Sequence, residues 1–137
     1  MRRYLLDTNI LSDVIKNPRG KAAKRISAKP PEVFFTSIVV AAEMRYGIEK
    51  KGSDVLTARV EALLDQIQVA ALDRDADRHY GRIRAQLERE GKTIGANDLM
   101  IAAHALALDA VLVTGNVDEF KRVNGLKIEN WLVALKR

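Results

Sequence analysis

The chain has 137 residues, 47% hydrophobic and 30% charged, which suits a single domain with a sizeable core. It has no cysteine, so disulfides and cysteine-based zinc sites are excluded, and at 5% aromatic residues it lacks the makings of a stacking platform for single-stranded RNA. The net charge of +5 favours an anionic partner without naming one. No apolar run is long enough to span a membrane, and Tyr4-Leu5-Leu6 is too short for a signal-peptide core. The expected setting is therefore the cytoplasm, with no membrane partner.

Taken in order, Tyr4 to Leu6 predicts a first β-strand that ends abruptly on Asp7, with Thr8 and Asn9 as helix N-caps. Ile10, Leu11, Val14 and Ile15 give the helix its apolar spacing, and Pro18 and Gly20 end it. Lys21 to Ala28 predicts a short basic helix stopped by Pro30-Pro31, and Val33-Phe34-Phe35 a second strand. Thr36 or Ser37 caps a helix from Ile38 to about Lys50. After Gly52-Ser53, the residues Leu56, Val60, Leu63, Leu64 and Ile67 mark another. Val69 to Leu72 is a third candidate strand, and Asp73 and Asp75 open a long helix to about Glu90. Asn97 caps an Ala/Leu-rich helix ending near Leu108, and Val111-Leu112-Val113 is the fourth strand. Val117 to Val123 predicts a short helix and Leu126 to Ile128 a last short strand, with Trp131 closing the core. Strands alternating with helices predict an α/β domain with a parallel sheet covered on both faces.

Four positions carry polar groups where the pattern calls for apolar ones or for a bare turn. Asp7 ends the first strand. Glu43 sits within Ile38-Val39-Val40-Ala41-Ala42-Glu43-Met44; an ion pair with Arg45 would explain it as well as a functional role. Asp98 opens the Ala/Leu-rich helix, where the helix dipole favours an acid. Asn116 follows the fourth strand, with Asp118 and Glu119 one turn on. In an open α/β sheet these positions converge above the strands' carboxyl ends, where ligands bind. Carboxylates gathered there repel one another unless a cation balances them. The donors are all hard oxygens, which favours Mg²⁺ or Mn²⁺ over zinc, and in a basic protein points to phosphodiester hydrolysis.

At these residues the sequence resembles the PIN-domain ribonucleases, specifically the VapC-type toxins of bacterial toxin–antitoxin pairs. The matching segments are Leu6-Asp7-Thr8-Asn9, Glu43-Met44-Arg45-Tyr46-Gly47, Ile94 to Ala102, Val113-Thr114-Gly115-Asn116 and Gly125 to Trp131. The resemblance implies one PIN-like domain over residues 1–137, a three-layer α/β/α fold whose central parallel sheet has about five strands. It implies an Mg²⁺- or Mn²⁺-dependent endoribonuclease leaving a 3′-hydroxyl and a 5′-phosphate. Asp7, Glu43 and Asp98 match the family's acidic metal-binding positions, with Asp7 and Asp98 holding the metal and Glu43 binding it or placing the attacking water. Asn116 stands at a fourth catalytic position where many relatives carry Asp, with Glu119 as the alternative; Gly115 replaces the Asn or Arg common beside it. Thr8, Asn9 and Thr114 are expected to orient the carboxylates or the phosphate. The implied substrate is structured RNA, tRNA foremost. The implied partners are a second copy of the chain and a VapB-type antitoxin that blocks the site.

Arg82, Arg84 and Arg89 on the long helix, with Arg78 and Lys92, are either RNA phosphate contacts or a solvated face. Lys16, Arg19, Lys21, Lys24 and Arg25 form a second such stretch. Other motifs fail on single residues. A haloacid-dehalogenase-like start needs an acid at Asn9, and a P-loop needs a glycine at Gln86. An EF-hand needs a glycine at Arg78, and a receiver domain needs paired acids beside Asp7. His79 and His104 are too far apart for a local zinc pair, and His104 reads as a packed structural residue. The alternative function is a non-catalytic PIN-like module that holds RNA or an antitoxin; it ranks below the nuclease because all three central acids are present.

Overall fold

The computed structural model describes residues 2–133. Its centre is a parallel five-stranded sheet in the order β3-β2-β1-β4-β5. The strands are β1 (Tyr4–Leu6), β2 (Phe34–Ser37), β3 (Gln68–Ala70), β4 (Val111–Val113) and β5 (Ile128–Glu129). Helices α1 (Thr8–Lys16) and α2 (Lys21–Ser27) join β1 to β2. Helices α3 (Ile38–Lys51) and α4 (Asp54–Gln66) join β2 to β3. Helices α5 (Ala76–Arg89) and α6 (Ala96–Ala107) lead back across the sheet to β4, and the short α7 (Val117–Phe120) leads on to β5.

The three central strands are apolar because both their faces are covered. Leu5, Phe35, Leu112 and Val113 are fully buried, and β1 and β4 show no exposed position. From β1 the chain winds outward through β2 and β3, then returns to the other side of β1 for β4 and β5. Right-handed crossovers place the helices of the two windings on opposite faces, giving three layers. The winding reverses between β1 and β4, and that reversal opens a crevice at their carboxyl ends. Leu6 pairs with Val113 there, so the next residues, Asp7 and Thr114, emerge side by side.

Trp131 closes the core: it is fully buried, with its ring centroid 5.1 Å from Tyr4 and 5.8 Å from Phe34. Arg25 lies 5.5 Å above the indole and also donates to the Asn130 carbonyl, tying α2 to the last turn of the described chain.

Several boundaries differ from the sequence expectation. Asp7 itself caps α1, accepting Thr8 N–H at 2.8 Å, so Thr8 and Asn9 lie inside the helix with their side chains free for other partners. Gly95 occupies the cap position of α6, and Asn97 falls in its first turn. Pro31–Val33 forms a 3-10 turn, so β2 starts at Phe34 and runs to Ser37, the N-cap of α3. Because Ser37 turns into α3, its pairing with Ala70 is the last of that ladder, and Leu72 projects beyond the sheet, 41% exposed. Helix α7 stops at Phe120, three residues before Val123. Gly125, at φ 82°, turns the chain so that β5 pairs through Ile128 and Glu129 rather than through Leu126.

Trp131→Ala is expected to cost about 3–5 kcal/mol in urea unfolding, the usual loss for an aromatic residue deleted from a core. Arg45→Ala, which breaks only the exposed Arg45–Glu61 pair, is expected to change stability by less than about 1 kcal/mol in the same titration.

Candidate active site

Asp7 is 3% exposed, and three donors converge on it. Thr8 N–H reaches Oδ1, while Thr114 Oγ at 2.8 Å and Asn9 Nδ2 at 3.2 Å reach Oδ2. Asn9 also reaches Thr114 Oγ at 3.3 Å and accepts the Gly115 N–H at 2.7 Å. Asn9 therefore ties the end of β1 to the turn after β4. At that turn Gly115 packs closely: a Cβ there would lie 2.6 Å from a Leu132 methyl, which would have to shift, and 3.4 Å from Asn9 Oδ1.

Glu43 comes from the second turn of α3, half-buried. Thr8 Oγ donates to its Oε1 at 2.7 Å, and Asn97 Nδ2 to its Oε2 at 3.4 Å. The structural ion pair with Arg45 is not formed, because Arg45 pairs with Glu61. Asp98, in the first turn of α6, lies against the Glu119 carboxyl. Glu119 also accepts the Gly95 N–H at 2.9 Å and the Asn116 side-chain amide. The residue that touches Asp98 is thus Glu119. Asn116 holds Glu119, bonds back to Thr114 through its own N–H at 3.0 Å, and makes no hydrogen bond to Asp7, Glu43 or Asp98.

The electrostatics follow from this crowding. Burial raises Asp7 above the ordinary carboxylate value, against the pull of Thr114 and Thr8, and the nearby Glu43 charge adds to the rise. Burial together with Glu119, Asp7 and Glu43 pushes Asp98 up to about 7. Burial alone would raise Glu119 too. Its bonds from Gly95, Asp98 and Asn116, with Arg122 nearby, outweigh that and hold it below the usual value.

Among the described residues, no ion pair involves Asp7, Glu43, Asp98 or Glu119. The donor set is oxygen only, which fits a hard divalent ion. Among the described residues, no group of three acids or histidines lies close enough together to hold a metal ion by itself. That suits an ion that keeps several of its waters and takes only one or two carboxylates directly. Beside Thr8 and Glu43 opens a cleft of about 240 Å³, floored by Met44, Ile48 and Val60, with Lys16 and Lys51 in its lining.

The long-helix arginines are exposed and partly engaged within α5. Arg82 lies 2.7 Å from His79 Nδ1, and Arg84 binds Tyr80 and Glu88. Arg84 does share a small cleft with Thr93, Ile94 and Ala96 at the start of α6; no contact brings Arg82 or Arg89 to the carboxylates. The sequence reading missed the part played by Gly95, whose N–H anchors Glu119, and that of Asn97 on Glu43. The only signal for the first was a glycine ahead of an Asn-Asp pair.

Asp98 has a folded-state value above its unfolded one, so its stabilising contribution is full below about pH 3.8 and is lost as pH rises through about 7. Melting in EDTA should therefore show the protein losing stability between pH 5 and 8. Asp98→Asn should flatten that slope, and Mn²⁺ should raise the parent's melting temperature more at pH 8 than at pH 5.5.

Residues 4–126 match the family model described as PIN domain. The chain is 38% identical over 131 residues to Ribonuclease VapC2 of Rickettsia felis, covering 93% of this chain and 97% of the relative. It is 36% identical over 132 residues to the tRNA(fMet)-specific endonuclease VapC of Shigella flexneri, covering 96% and 99%. The crystal structure of VapBC2 from Rickettsia felis bound to a promoter DNA fragment superposes with a TM-score of 0.86 at 34% identity, covering 93% of this chain and 98% of that one. By this match and these identities over nearly the whole chain, the chain belongs to the PIN-domain family, in its VapC branch.

Proposed function

We propose that this chain is a divalent-metal-dependent endoribonuclease, the toxin of a toxin–antitoxin pair, and that its substrate is tRNA. One observation carries the reading: four carboxylates, Asp7, Glu43, Asp98 and Glu119, gather at the reversal of a parallel sheet, and among the described residues none of them forms an ion pair. Asp7 and Asp98 would hold Mg²⁺ or Mn²⁺, with Glu43 beside them. The ion would offset charge at the phosphate and lower the pKa of a water there. Thr8 keeps Glu43 aimed at the site, where its carboxylate would bind the ion or position the attacking water. Thr114 and Asn9 keep Asp7 in place and ionisable. Asn116 and Gly95 hold Glu119, which governs the proton on Asp98.

Lys16 and Lys51 supply positive charge in the cleft beside Glu43, where RNA next to the scissile bond would lie. The tRNA assignment is supported by the Shigella flexneri relative, named for cutting tRNA(fMet). A VapB-type antitoxin is the proposed partner, because solved relatives are VapBC complexes. Its docking surface would be the apolar cleft of about 620 Å³ lined by Leu11, Val14, Ile26, Phe34, Leu63 and Ile67. Exposed Ile38, Tyr46 and Leu72 are available to a second copy in a homodimer. The proposed compartment is the cytoplasm; among the described residues no helix is long and apolar enough to cross a membrane.

The purified chain, freed of antitoxin, should cut total tRNA into discrete fragments with Mg²⁺ or Mn²⁺ and not with EDTA. Asp7→Asn and Asp98→Asn should each lower the rate by about 10³-fold or more while melting cooperatively. Undiminished cleavage by both variants would remove these carboxylates from the mechanism. No cleavage of a broad RNA pool by the folded parent would favour a binding module.

A further inference from the structure

Glu43 on α3 and Asp98 on α6 are both acids, so no attraction between them sets the distance that separates them. Two side-chain hydrogen bonds tie the segments together. One lies at the site, from Asn97 to Glu43, and is open to solvent. The other is buried: His104 Nδ1 lies 2.8 Å from Ser37 Oγ, with His104 1% exposed and Ser37 fully covered. Ser37 stands six residues before Glu43, and His104 six after Asp98. The bond therefore joins the two supports of the site well behind it.

Ser37 is closely constrained. It pairs with Ala70 in the sheet, and its Oγ accepts Val39 N–H at 3.0 Å as the cap of α3. Its own hydroxyl proton is left for His104, which makes Nδ1 the acceptor and places the ring proton on Nε2. Nε2 is sealed from solvent with no hydrogen-bond partner. A buried polar nitrogen left unpaired is unfavourable, and an apolar residue would occupy the position without it. Burial also keeps the imidazole below its ordinary pKa, only partly opposed by the backbone of Ala71, so the ring is neutral and Nδ1 stays an acceptor. Apart from its approach to the Ala71 backbone, what a histidine supplies here and a leucine could not is the bond to Ser37.

We propose that Ser37 and His104 are a positioning pair that locks α6 against the start of α3 and so fixes the separation of Asp98 from Glu43. The inference rests on the metal-dependent nuclease reading above. His104→Leu removes the bond and keeps the position apolar; His104→Asn restores an acceptor close to where Nδ1 stood. Calorimetric titration of the RNA-free protein with Mn²⁺ should give about tenfold weaker binding for His104→Leu, the size of effect expected when a group supporting a metal ligand is lost. The kcat on tRNA should fall by a similar factor with KM unchanged, and His104→Asn should recover both. Ser37→Ala, which leaves the histidine in place, should reproduce the loss and serves if His104→Leu does not fold. The proposal is overturned if either variant melts cooperatively yet keeps the parent's Mn²⁺ affinity and kcat. A parent that neither binds Mn²⁺ nor cuts RNA would instead bring down the nuclease reading, and this one with it.

Discussion

Everything at the active edge depends on holding Asp7 in place against its own charge. Leaving a carboxylate unpaired in a protein interior costs several kcal/mol. Asp7 is nonetheless buried, because the strand that carries it lies at the middle of the sheet. Its burden is relieved locally by donors from Thr8, Asn9 and Thr114, each charge-assisted bond contributing about 1.5–3 kcal/mol. The Thr114 donor is there only because β4 lies directly beside β1. The sheet order is thus a requirement of the electrostatics as much as of the core.

The same crowding explains the rest of the site. With Glu119 against it and Asp7 and Glu43 close by, Asp98 cannot ionise at the ordinary value. Glu119 escapes this pressure because it has the Gly95 N–H and the Asn116 amide to itself. Two acids in contact are thus pushed in opposite directions, as in sites where an acid and a base must coexist.

What could be read in the sequence was what local pattern controls. An apolar triplet cut short by Asp7 announces a strand tip. An acid among Val39, Val40, Ala41 and Met44 announces a residue kept against its environment. The alternation of elements was enough for the layered parallel sheet. Other features depended on partners remote in the chain. Glu119 reads as an ordinary helix-start acid until Gly95 arrives beside it. Asn97 reads as a cap until Glu43 does, and His104 reads as packing until Ser37 takes its lone pair. The edges of β3 and β5 were misplaced because pairing ends where a neighbouring strand turns away, and no single strand's sequence records that. The basic side chains taught a related lesson: a net charge of +5 did not mean free arginines, since Arg45 and Arg84 are spent on Glu61 and Glu88.

The adjacency of β1 and β4 has a consequence for synthesis. Asp7 leaves the ribosome 107 positions ahead of its Thr114 donor, and Glu119 follows later still. A nascent chain can wind β1, β2 and β3 together while α5 onward is still to be made. It cannot close the crevice, because one wall of it has not emerged. Pairings so distant in sequence also form slowly after release. The four acids therefore come together only after β4 and α7 have been made, so a polypeptide grown only as far as α6 carries no assembled site next to the translation machinery that is making it.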